Sequence, residues 1–474
     1  MARKSGVLLH ISSLPGEYGI GTLGKDARRF VDFLKRCGFT YWQILPLCMT
    51  NSYHSPYQSP ASFSGNPFFI DLEALSTKNL LTDEELLSAK QTTPYSCEFA
   101  RLKEDRLALL HRAYERSDKA VTQESIQKTP ALQKLCRFLA LQAANDGKPW
   151  QEWTVQEPKD LGFYEFLQVT FFQQWAELRN YANERGIRII GDLPIYVDID
   201  SADVWASPDQ FLLNEKEYPS LVAGVPPDYF CADGQLWGNP LYDWSAMEKD
   251  GFSWWKERIA WAMTLYDGVR IDHFRGMESY WGVPADATTA KDGQWYKGPG
   301  MAVVRAIREV AGDGLIIAED LGDITDAVRA LVHESGFPGM RVLQFAFLSD
   351  SESCHHPHHY EPNTVAYSGT HDNNTLLGFL WELPPERRSH VLAYCKGDEN
   401  DWRRSCGDLI DTLYASSSQL VITPIQDLLA YGSDTRLNRP GEAEGNWSYR
   451  VTWEQLKELS CEQLYNRNKI YYRL

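Results

Sequence analysis

The feature that most constrains the fold is an alternation of short apolar segments with amphipathic helical segments along most of the chain. Eight apolar segments have the length and composition of buried strands: residues 5–14, 41–47, 187–195, 268–274, 314–321, 340–347, 364–372 and 417–429. Between the first two, apolar residues from Ala27 to Leu34 recur at helical spacing, and Gly38 follows them. This alternation predicts an α/β fold, a (β/α)8 TIM barrel, although an open doubly wound sheet fits the same count.

Two connections between the predicted strands are much longer than ordinary connections in such folds. Residues 48–165 separate the second and third strands, and Thr82 and Glu85 within them form a T-x-x-E capping box. Residues 196–251 separate the third and fourth strands and are rich in Pro, Gly, Trp and Tyr. We therefore expect a mostly helical insertion at 48–165 and a loop-rich insertion at 196–251, both built on a single barrel spanning residues 1–474.

Composition and charge exclude several classes of protein. The 474-residue chain has 47 basic and 64 acidic side chains, a net charge of −17, which argues against nucleic acid or an anionic membrane as a partner. Its nine cysteines include no CxxC pair, so neither a disulfide framework nor a zinc site is indicated. No apolar run has membrane-spanning length, and the N-terminus does not resemble a secretory signal. The sequence predicts a soluble, cytoplasmic protein.

Four of the predicted strands end in a carboxylic acid. The four are Asp192 in IIGDLP, Asp272 in VRIDHF, Glu319 in LIIAED and Asp372 in SGTHDN. A single acid after a strand is most often a solvated loop residue. The C-terminal ends of barrel strands meet at one mouth, however, so four such acids are expected to converge on one pocket.

Converging carboxylates fit two kinds of chemistry. They can bind a hard cation such as Mg²⁺, with Asp192, Asp272 and Asp372 as ligands, or they can cleave a glycosidic bond. Arg270 and His273 flank Asp272, and cations beside a carboxylate hold it ionised, as a nucleophile requires. These neighbours favour glycosidic chemistry, so no metal is predicted, and the histidine-rich run HHPHH at 355–359 is interpreted as a surface loop.

The abundance of aromatic residues also favours a sugar substrate. The chain contains 16 Trp and 24 Tyr, and several aromatic residues lie in predicted loops, among them Tyr229, Phe230 and Trp237. Aromatic rings stack on the apolar faces of pyranose rings much as they pack elsewhere. Most of the tryptophans are expected in the core, as for Trp175 and Trp261. Trp237, which lies between turn-forming residues in GQLWGNPLY, is the better candidate for a substrate platform.

Longer motifs resemble a known family, the 4-α-glucanotransferases of the amylomaltase or disproportionating-enzyme type, which are relatives of the α-amylases. The motifs are SPYQSPASFSGNP, GDLPIYV, GVPPDYFCADGQLWGNPLYDW, GVRIDHFRG, IIAEDLG, SGTHDNNT and LNRPG, and they span almost the whole chain. The resemblance implies transfer of part of an α-1,4-glucan or maltooligosaccharide donor to the 4-hydroxyl of a glucose or glucan acceptor, without a cofactor. No separate carbohydrate-binding module is expected, because the barrel begins by residue 5.

Carried over position by position, the resemblance assigns roles to individual residues. Asp272 becomes the nucleophile, Glu319 the general acid/base and Asp372 the transition-state stabiliser. Glu319 is then expected to be protonated at rest, its pKa raised by an apolar wall and neighbouring acids. The implied substrate contacts are Ser55, Tyr57, Asp192, Gln235, Trp237, Arg270, His273, His371, Asn438 and Pro440.

Two other functions share parts of this pattern. A glucan hydrolase of the α-amylase type has the same carboxylates and uses water as the acceptor. A catalytically silent glucan-binding protein keeps the aromatic residues, but the intact set of Asp272, Glu319 and Asp372 argues against it.

Overall fold

The computed structural model, which describes residues 3–227, 232–349, 351–442 and 444–474, contains a closed barrel and a separate four-stranded sheet. The strands are β1 (Lys4–Leu8), β2 (Tyr41–Gln43), β3 (Arg188–Leu193), β4 (Leu221–Val225), β5 (Gln235–Pro240), β6 (Gly268–Ile271), β7 (Ser279–Pro284), β8 (Gln294–Lys297), β9 (Leu315–Ala318), β10 (Gly339–Val342), β11 (Thr364–Tyr367) and β12 (Leu420–Pro424).

The barrel strands follow the order β1-β2-β3-β6-β9-β10-β11-β12, and β12 pairs with β1 to close the barrel. Every neighbouring pair is parallel. Because all eight strands run the same way, their C-terminal ends lie at one mouth, which we call the catalytic mouth. The predicted (β/α)8 TIM barrel is confirmed, and the alternative of an open doubly wound sheet is wrong.

Helices connect the barrel strands and fill the longer connections. They are α1 (Lys25–Arg36), α2 (Leu72–Thr77), α3 (Asp83–Ser88), α4 (Phe99–Arg101), α5 (Leu107–Arg116), α6 (Lys119–Gln127), α7 (Pro130–Ala144), α8 (Leu161–Glu184), α9 (Ala202–Ala206), α10 (Trp244–Lys249), α11 (Ser253–Leu265), α12 (Met301–Ala311), α13 (Asp326–Ser335), α14 (Leu343–Ala346), α15 (Leu376–Glu382), α16 (Pro385–Cys395), α17 (Trp402–Ala415), α18 (Ile425–Leu429), α19 (Trp453–Leu456) and α20 (Cys461–Ile470). Within the described parts of the chain, none of these helices combines the length and apolar character that crossing a membrane requires.

Several observed strands are shorter than the predicted ones. The predicted strand 340–347 includes β10 and then α14, and 417–429 includes β12 and then α18. Likewise, 5–14 continues past β1 into a 3-10 turn. The apolar residues in these segments are mostly buried whether the backbone is extended or helical, so hydrophobic pattern alone does not mark where a short strand ends.

The two long connections contain regular structure. Residues 48–165 hold α2 to α7, and the capping box is confirmed: Glu85 N–H donates to Thr82 Oγ1 at 3.2 Å and Thr82 N–H donates to Glu85 Oε2 at 2.9 Å. Residues 196–251 hold β4, β5, α9 and α10. Strands β4 and β5 pair with β7 and β8 in an antiparallel sheet of order β5-β4-β7-β8. The hydrophobic pattern of the sequence does not indicate this sheet.

Apolar side chains fill the barrel and hold its strands in register. Ile190, Ile317 and Ile422 lie in the cluster inside the barrel and are fully buried. Gly191 follows Ile190 in β3, and it must be glycine because a Cβ there would lie 2.4 Å from the ring of Tyr266. Tyr266 therefore packs closely against the strand that carries Asp192.

Candidate active site

A buried arginine joins two of the predicted acids at the catalytic mouth. Arg270 in β6 donates from Nη1 to both carboxylate oxygens of Asp192 at 2.8 Å, and its Nη2 lies 2.8 Å from Asp272 Oδ1. Although burial alone would lower it, the charges of Asp192 and Asp272 hold the pKa of Arg270 above its ordinary value. Asp272 directly follows β6, and its N–H donates to the carbonyl of Leu193 in β3 at 3.0 Å. The barrel backbone therefore fixes the position of Asp272.

Glu319 directly follows β9, the neighbour of β6 in the barrel. Its Oε2 accepts from the N–H of His273 at 2.6 Å and its Oε1 accepts from the N–H of Leu321 at 2.7 Å. Burial raises the pKa of Glu319 to about 8, and the charge of Arg270 opposes the shift while that of Asp272 adds to it. Glu319 is therefore protonated near neutral pH, in agreement with the expectation from the sequence.

His273 does not carry the charge that the sequence analysis gave it. Burial lowers the pKa of its imidazole to about 4, so the ring is neutral near pH 7 and Arg270 is the cation that faces Asp272. The His273 backbone is left-handed, with φ of 48°, an uncommon conformation for a residue other than glycine. This conformation turns the chain after β6 so that the His273 N–H faces Glu319.

Asp372 lies in a loop, not at the end of its strand. The predicted strand 364–372 ends at Tyr367, and Asp372 follows five residues later. Asn438 Nδ2 donates to Asp372 Oδ1 at 2.6 Å, and Arg436 Nη2 donates to the Asp372 carbonyl at 2.6 Å. The Asp372 side chain is 44% exposed and lies 3.2 Å from His371 Nε2. Hydrogen bonds from residues 436–438 hold Asp372, whereas the strand pairing of the barrel fixes Asp272.

Tyr57, from the connection between β2 and β3, contacts both Asp192 and His371, the residue that precedes Asp372. Its hydroxyl donates to Asp192 Oδ2 at 2.8 Å, and its ring stacks on that of His371 with centroids 4.9 Å apart. Ser55 Oγ accepts from the N–H of Tyr57 at 3.3 Å. Tyr57 is thereby placed beside the acids, and Ser55 supports its backbone.

Trp237 reaches the acids from β5, outside the barrel. Its ring lies edge-on to that of His273, with centroids 4.9 Å apart, and its Nε1–H donates to Gln235 Oε1 at 3.1 Å. The sequence candidates Tyr229 and Phe230 lie outside the described residues. Pro440 lies exposed in the turn that follows Asn438.

Comparison with known proteins identifies the family. The sequence model of a family described as 4-alpha-glucanotransferase matches residues 9–456. The chain is 41% identical over 495 residues to a 4-alpha-glucanotransferase of Streptococcus pneumoniae, covering 100% of this chain and 98% of that protein. It is also 41% identical over 479 residues to a 4-alpha-glucanotransferase of Thermus thermophilus, covering 95% of each. This chain belongs to the 4-alpha-glucanotransferase family.

Solved structures agree with the family. An amylomaltase from Streptococcus agalactiae, solved in complex with acarbose, is similar with a TM-score of 0.95 at 38% identity, covering 99% of each chain. An amylomaltase from Corynebacterium glutamicum shares the fold with a TM-score of 0.82 at 20% identity, covering 99% of this chain and 75% of that one. The protein therefore has 4-alpha-glucanotransferase activity, and a hydrolase or a silent glucan-binding protein is not favoured.

One residue of this 4-alpha-glucanotransferase that the sequence analysis missed is Asp427, in α18. Its Oδ2 accepts from Ser368 Oγ at 2.6 Å and its Oδ1 accepts from the N–H of Leu376 at 2.7 Å. Ser368 and Leu376 bracket the loop that carries His371 and Asp372, so Asp427 anchors both ends of that loop. A lone charged residue in the mostly apolar run PIQDLL is the signal that would have found it.

The arrangement does not resemble a metal site. Arg270 lies between Asp192 and Asp272 and contacts both carboxylates, where a shared cation would otherwise lie. Among the described residues, no three His, Cys, Asp or Glu side chains are grouped so that they could hold a metal ion. In the histidine-rich run, the Nδ1 atoms of His356 and His359 both face the carbonyl of Ser353.

Proposed function

We propose that this family member transfers glucan segments by a retaining double displacement in which Asp272 is the nucleophile and Glu319 the acid/base. The supporting observation is the contrast between the two carboxyl groups. Arg270 faces Asp272 as a partner for a carboxylate, whereas burial raises the pKa of Glu319 to about 8. A buried acid that keeps its proton, next to a second acid that faces a guanidinium, suits an acid and nucleophile pair.

The two steps follow from these states. In the first, Asp272 forms a bond to the anomeric carbon of the donor while the glycosidic C–O bond breaks, and the proton of Glu319 moves to the leaving oxygen. In the second, Glu319 takes the proton of an acceptor 4-hydroxyl, whose oxygen displaces Asp272 from the anomeric carbon. Glu319 is thereby returned to its protonated state, and two inversions give net retention.

The surrounding residues take the remaining roles. Asp372 stabilises the positive charge that develops on the sugar. Its side chain is 44% exposed at the catalytic mouth, so a bound sugar can reach it. His371 and the neutral His273 are positioned to bind hydroxyls of the same sugar. Tyr57, Asp192, Gln235 and Trp237 contact the glucan. Ser55 supports Tyr57 and Asn438 supports Asp372, while Pro440 remains a contact that only the family resemblance implies.

We propose α-1,4-glucans and maltooligosaccharides as donors and glucose or a glucan as acceptor. The similar amylomaltase from Streptococcus agalactiae was solved in complex with acarbose, which supports a carbohydrate ligand for this chain. The aromatic rings of Tyr57, beside His371, and of Trp237, beside His273, offer stacking surfaces near the acids. A cytoplasmic location, and a single barrel domain over residues 1–474 with insertions at 48–165 and 196–251, remain predictions.

Incubation with maltotriose, followed by chromatography of the products, tests the proposal. We expect glucose together with a ladder of longer glucans, because a second maltotriose outcompetes water at the glycosyl-enzyme. The Asp272→Asn variant is the control and should give neither product. Formation of maltose and glucose alone would show hydrolysis and contradict the proposal.

A further inference from the structure

Trp295 presents a large apolar ring to solvent. Trp295 lies in β8 and is 40% exposed. The ring packs edge-on against Trp281 of β7, with centroids 5.2 Å apart at 71°. The Cζ atom of Arg275 lies 4.0 Å from the ring centroid, a cation–π contact. The indole is therefore held in place although much of it is open.

The residue that holds Trp295 belongs to the segment that contacts Glu319. Arg275 lies two residues after His273, whose N–H donates to Glu319 Oε2, and next to Phe274, whose N–H donates to the Glu319 carbonyl at 3.0 Å. Arg275 itself is almost fully buried and donates to the carbonyl of Asp323, four residues beyond Glu319. Trp295 is therefore on the Glu319 side of the mouth, separated from the acid by the Arg275 side chain.

This position corresponds to the acceptor side of the reaction. A general acid protonates the oxygen of the leaving group, so the leaving chain departs on the side of Glu319. The acceptor hydroxyl must later give its proton to the same carboxylate, so the acceptor chain occupies the same side. Arg275 contacts the Trp295 ring and interacts electrostatically with Glu319, so the indole and the acid are linked through a single side chain.

The surroundings of Trp295 fit a sugar. Asp323 has a largely exposed carboxylate 3.8 Å from Arg275 Nη1, so a hydrogen-bond acceptor lies beside the ring. An aromatic surface for the apolar face of a pyranose and a carboxylate for its hydroxyls are the two elements that bind a sugar ring. Arg275 fixes the indole in advance, which lowers the entropic cost of binding.

We propose that Trp295, fixed by Arg275, is a platform for an acceptor glucan beyond the first acceptor sugar. The proposal rests on the assignment of Glu319 as the acid/base. The platform makes longer α-1,4-glucans better acceptors than glucose, because only a chain of more than one sugar reaches the indole.

The test measures acceptor selectivity with maltosyl fluoride as the donor, since fluoride leaves without occupying the acceptor side. Transfer to maltotetraose and transfer to glucose are compared for the wild type and for the Trp295→Ala variant. We expect the ratio of kcat/KM for maltotetraose to that for glucose to fall about 3- to 10-fold, the size of one aromatic stacking contact. The Trp295→Phe variant, which keeps an aromatic ring, should recover most of that ratio.

Tyr465→Ala is the matched control. Tyr465 is 42% exposed on α20 and lies against Gly38 at the opposite end of the barrel, so its loss should leave the ratio unchanged. A wild-type ratio in Trp295→Ala, or equal losses for both acceptors, would overturn the platform. Failure of the proposed function would instead appear in the wild type, as fluoride release without transfer to either acceptor.

Discussion

The catalytic mouth has two halves that are built differently. In one half, Asp192, Asp272 and Glu319 lie within or directly after β3, β6 and β9, and backbone hydrogen bonds between these strands fix them. In the other half, Asp372 lies in a loop after β11, where hydrogen bonds from Arg436 and Asn438 hold it. We call these halves the strand half and the loop half.

The difference reflects what each acid does. Asp272 and Glu319 exchange bonds and protons with the same anomeric centre, so their separation must be set to within a fraction of an ångström. Strand pairing in a packed barrel provides that rigidity. Asp372 only has to present its charge to the sugar, and a loop held by side chains meets that requirement while leaving the acid open to substrate.

The largest difference is expected from removing the arginine of each half. Arg270→Ala leaves the buried carboxylate of Asp192 without its cation, and we expect the free energy of unfolding to fall by about 3–5 kcal/mol. Arg436→Ala removes hydrogen bonds to the carbonyls of Asp372 and Asn438 in a partly exposed segment, so a loss of about 2 kcal/mol is expected. Urea denaturation of both variants measures the contrast. Equal losses would show that the two halves do not differ in rigidity.

A smaller effect is expected from releasing the loop half. Asp427→Ala removes the acceptor for both Ser368 and Leu376, so the loop of Asp372 loses both anchors. We expect kcat for maltotriose to fall about 10- to 100-fold, as for other misplaced catalytic groups. Asp427→Asn keeps an oxygen for the Leu376 N–H and an amide that can donate to Ser368, so it should retain most of the activity. An unchanged kcat in Asp427→Ala would contradict the anchoring role.

The smallest effect concerns the pH dependence of stability in the strand half. Burial raises the pKa of Glu319 to about 8, so the folded protein keeps a proton that the unfolded chain releases at lower pH. The resulting stabilisation is complete below the ordinary glutamate pKa and is lost as the pH rises through about 8. The wild type should lose this stabilisation between pH 5 and pH 9, whereas Glu319→Gln should not. The free energy of unfolding of Glu319→Gln, relative to that of the wild type, should therefore rise by at least about 1 kcal/mol over this range.

Urea denaturation at pH 5 and pH 9 measures that gain. Glu184→Gln is the control, because the Glu184 side chain is exposed on the surface. Its free energy of unfolding should differ from that of the wild type by the same amount at pH 5 and at pH 9. If the wild type and Glu319→Gln changed in parallel between pH 5 and pH 9, the carboxyl of Glu319 would not be protonated in the folded protein.

The strand half was largely predictable from the sequence, and the loop half was not. Asp192, Asp272 and Glu319 each follow an apolar run, and parallel strands necessarily bring their ends to one mouth. Asp372 also follows an apolar run, so the same rule misplaced it at the end of a strand. Its true position depends on residues 436–438, more than 60 positions away, and no local pattern records that contact.

The sheet of β5, β4, β7 and β8 escaped prediction for a related reason. Its strands are four to six residues long, and the antiparallel pairing of β4 with β7 joins residues about 60 positions apart. Such short segments contain too few residues to show a clear periodicity. Their stability comes from pairing with other strands and from burial, which the local sequence does not show. The charge of His273 was misjudged because burial, which a sequence does not show, lowers its pKa.

The most direct test of the account is to find which carboxylate becomes glycosylated. The Glu319→Gln variant lacks the acid/base but can still react with maltosyl fluoride, whose leaving group needs little protonation, so the glycosyl-enzyme should accumulate. Peptide mapping by mass spectrometry would then locate the sugar. The account predicts the label on Asp272, within the GVRIDHFRG segment. A label on Asp192 or Asp372, or an equal label when Asp272→Asn is added, would contradict it.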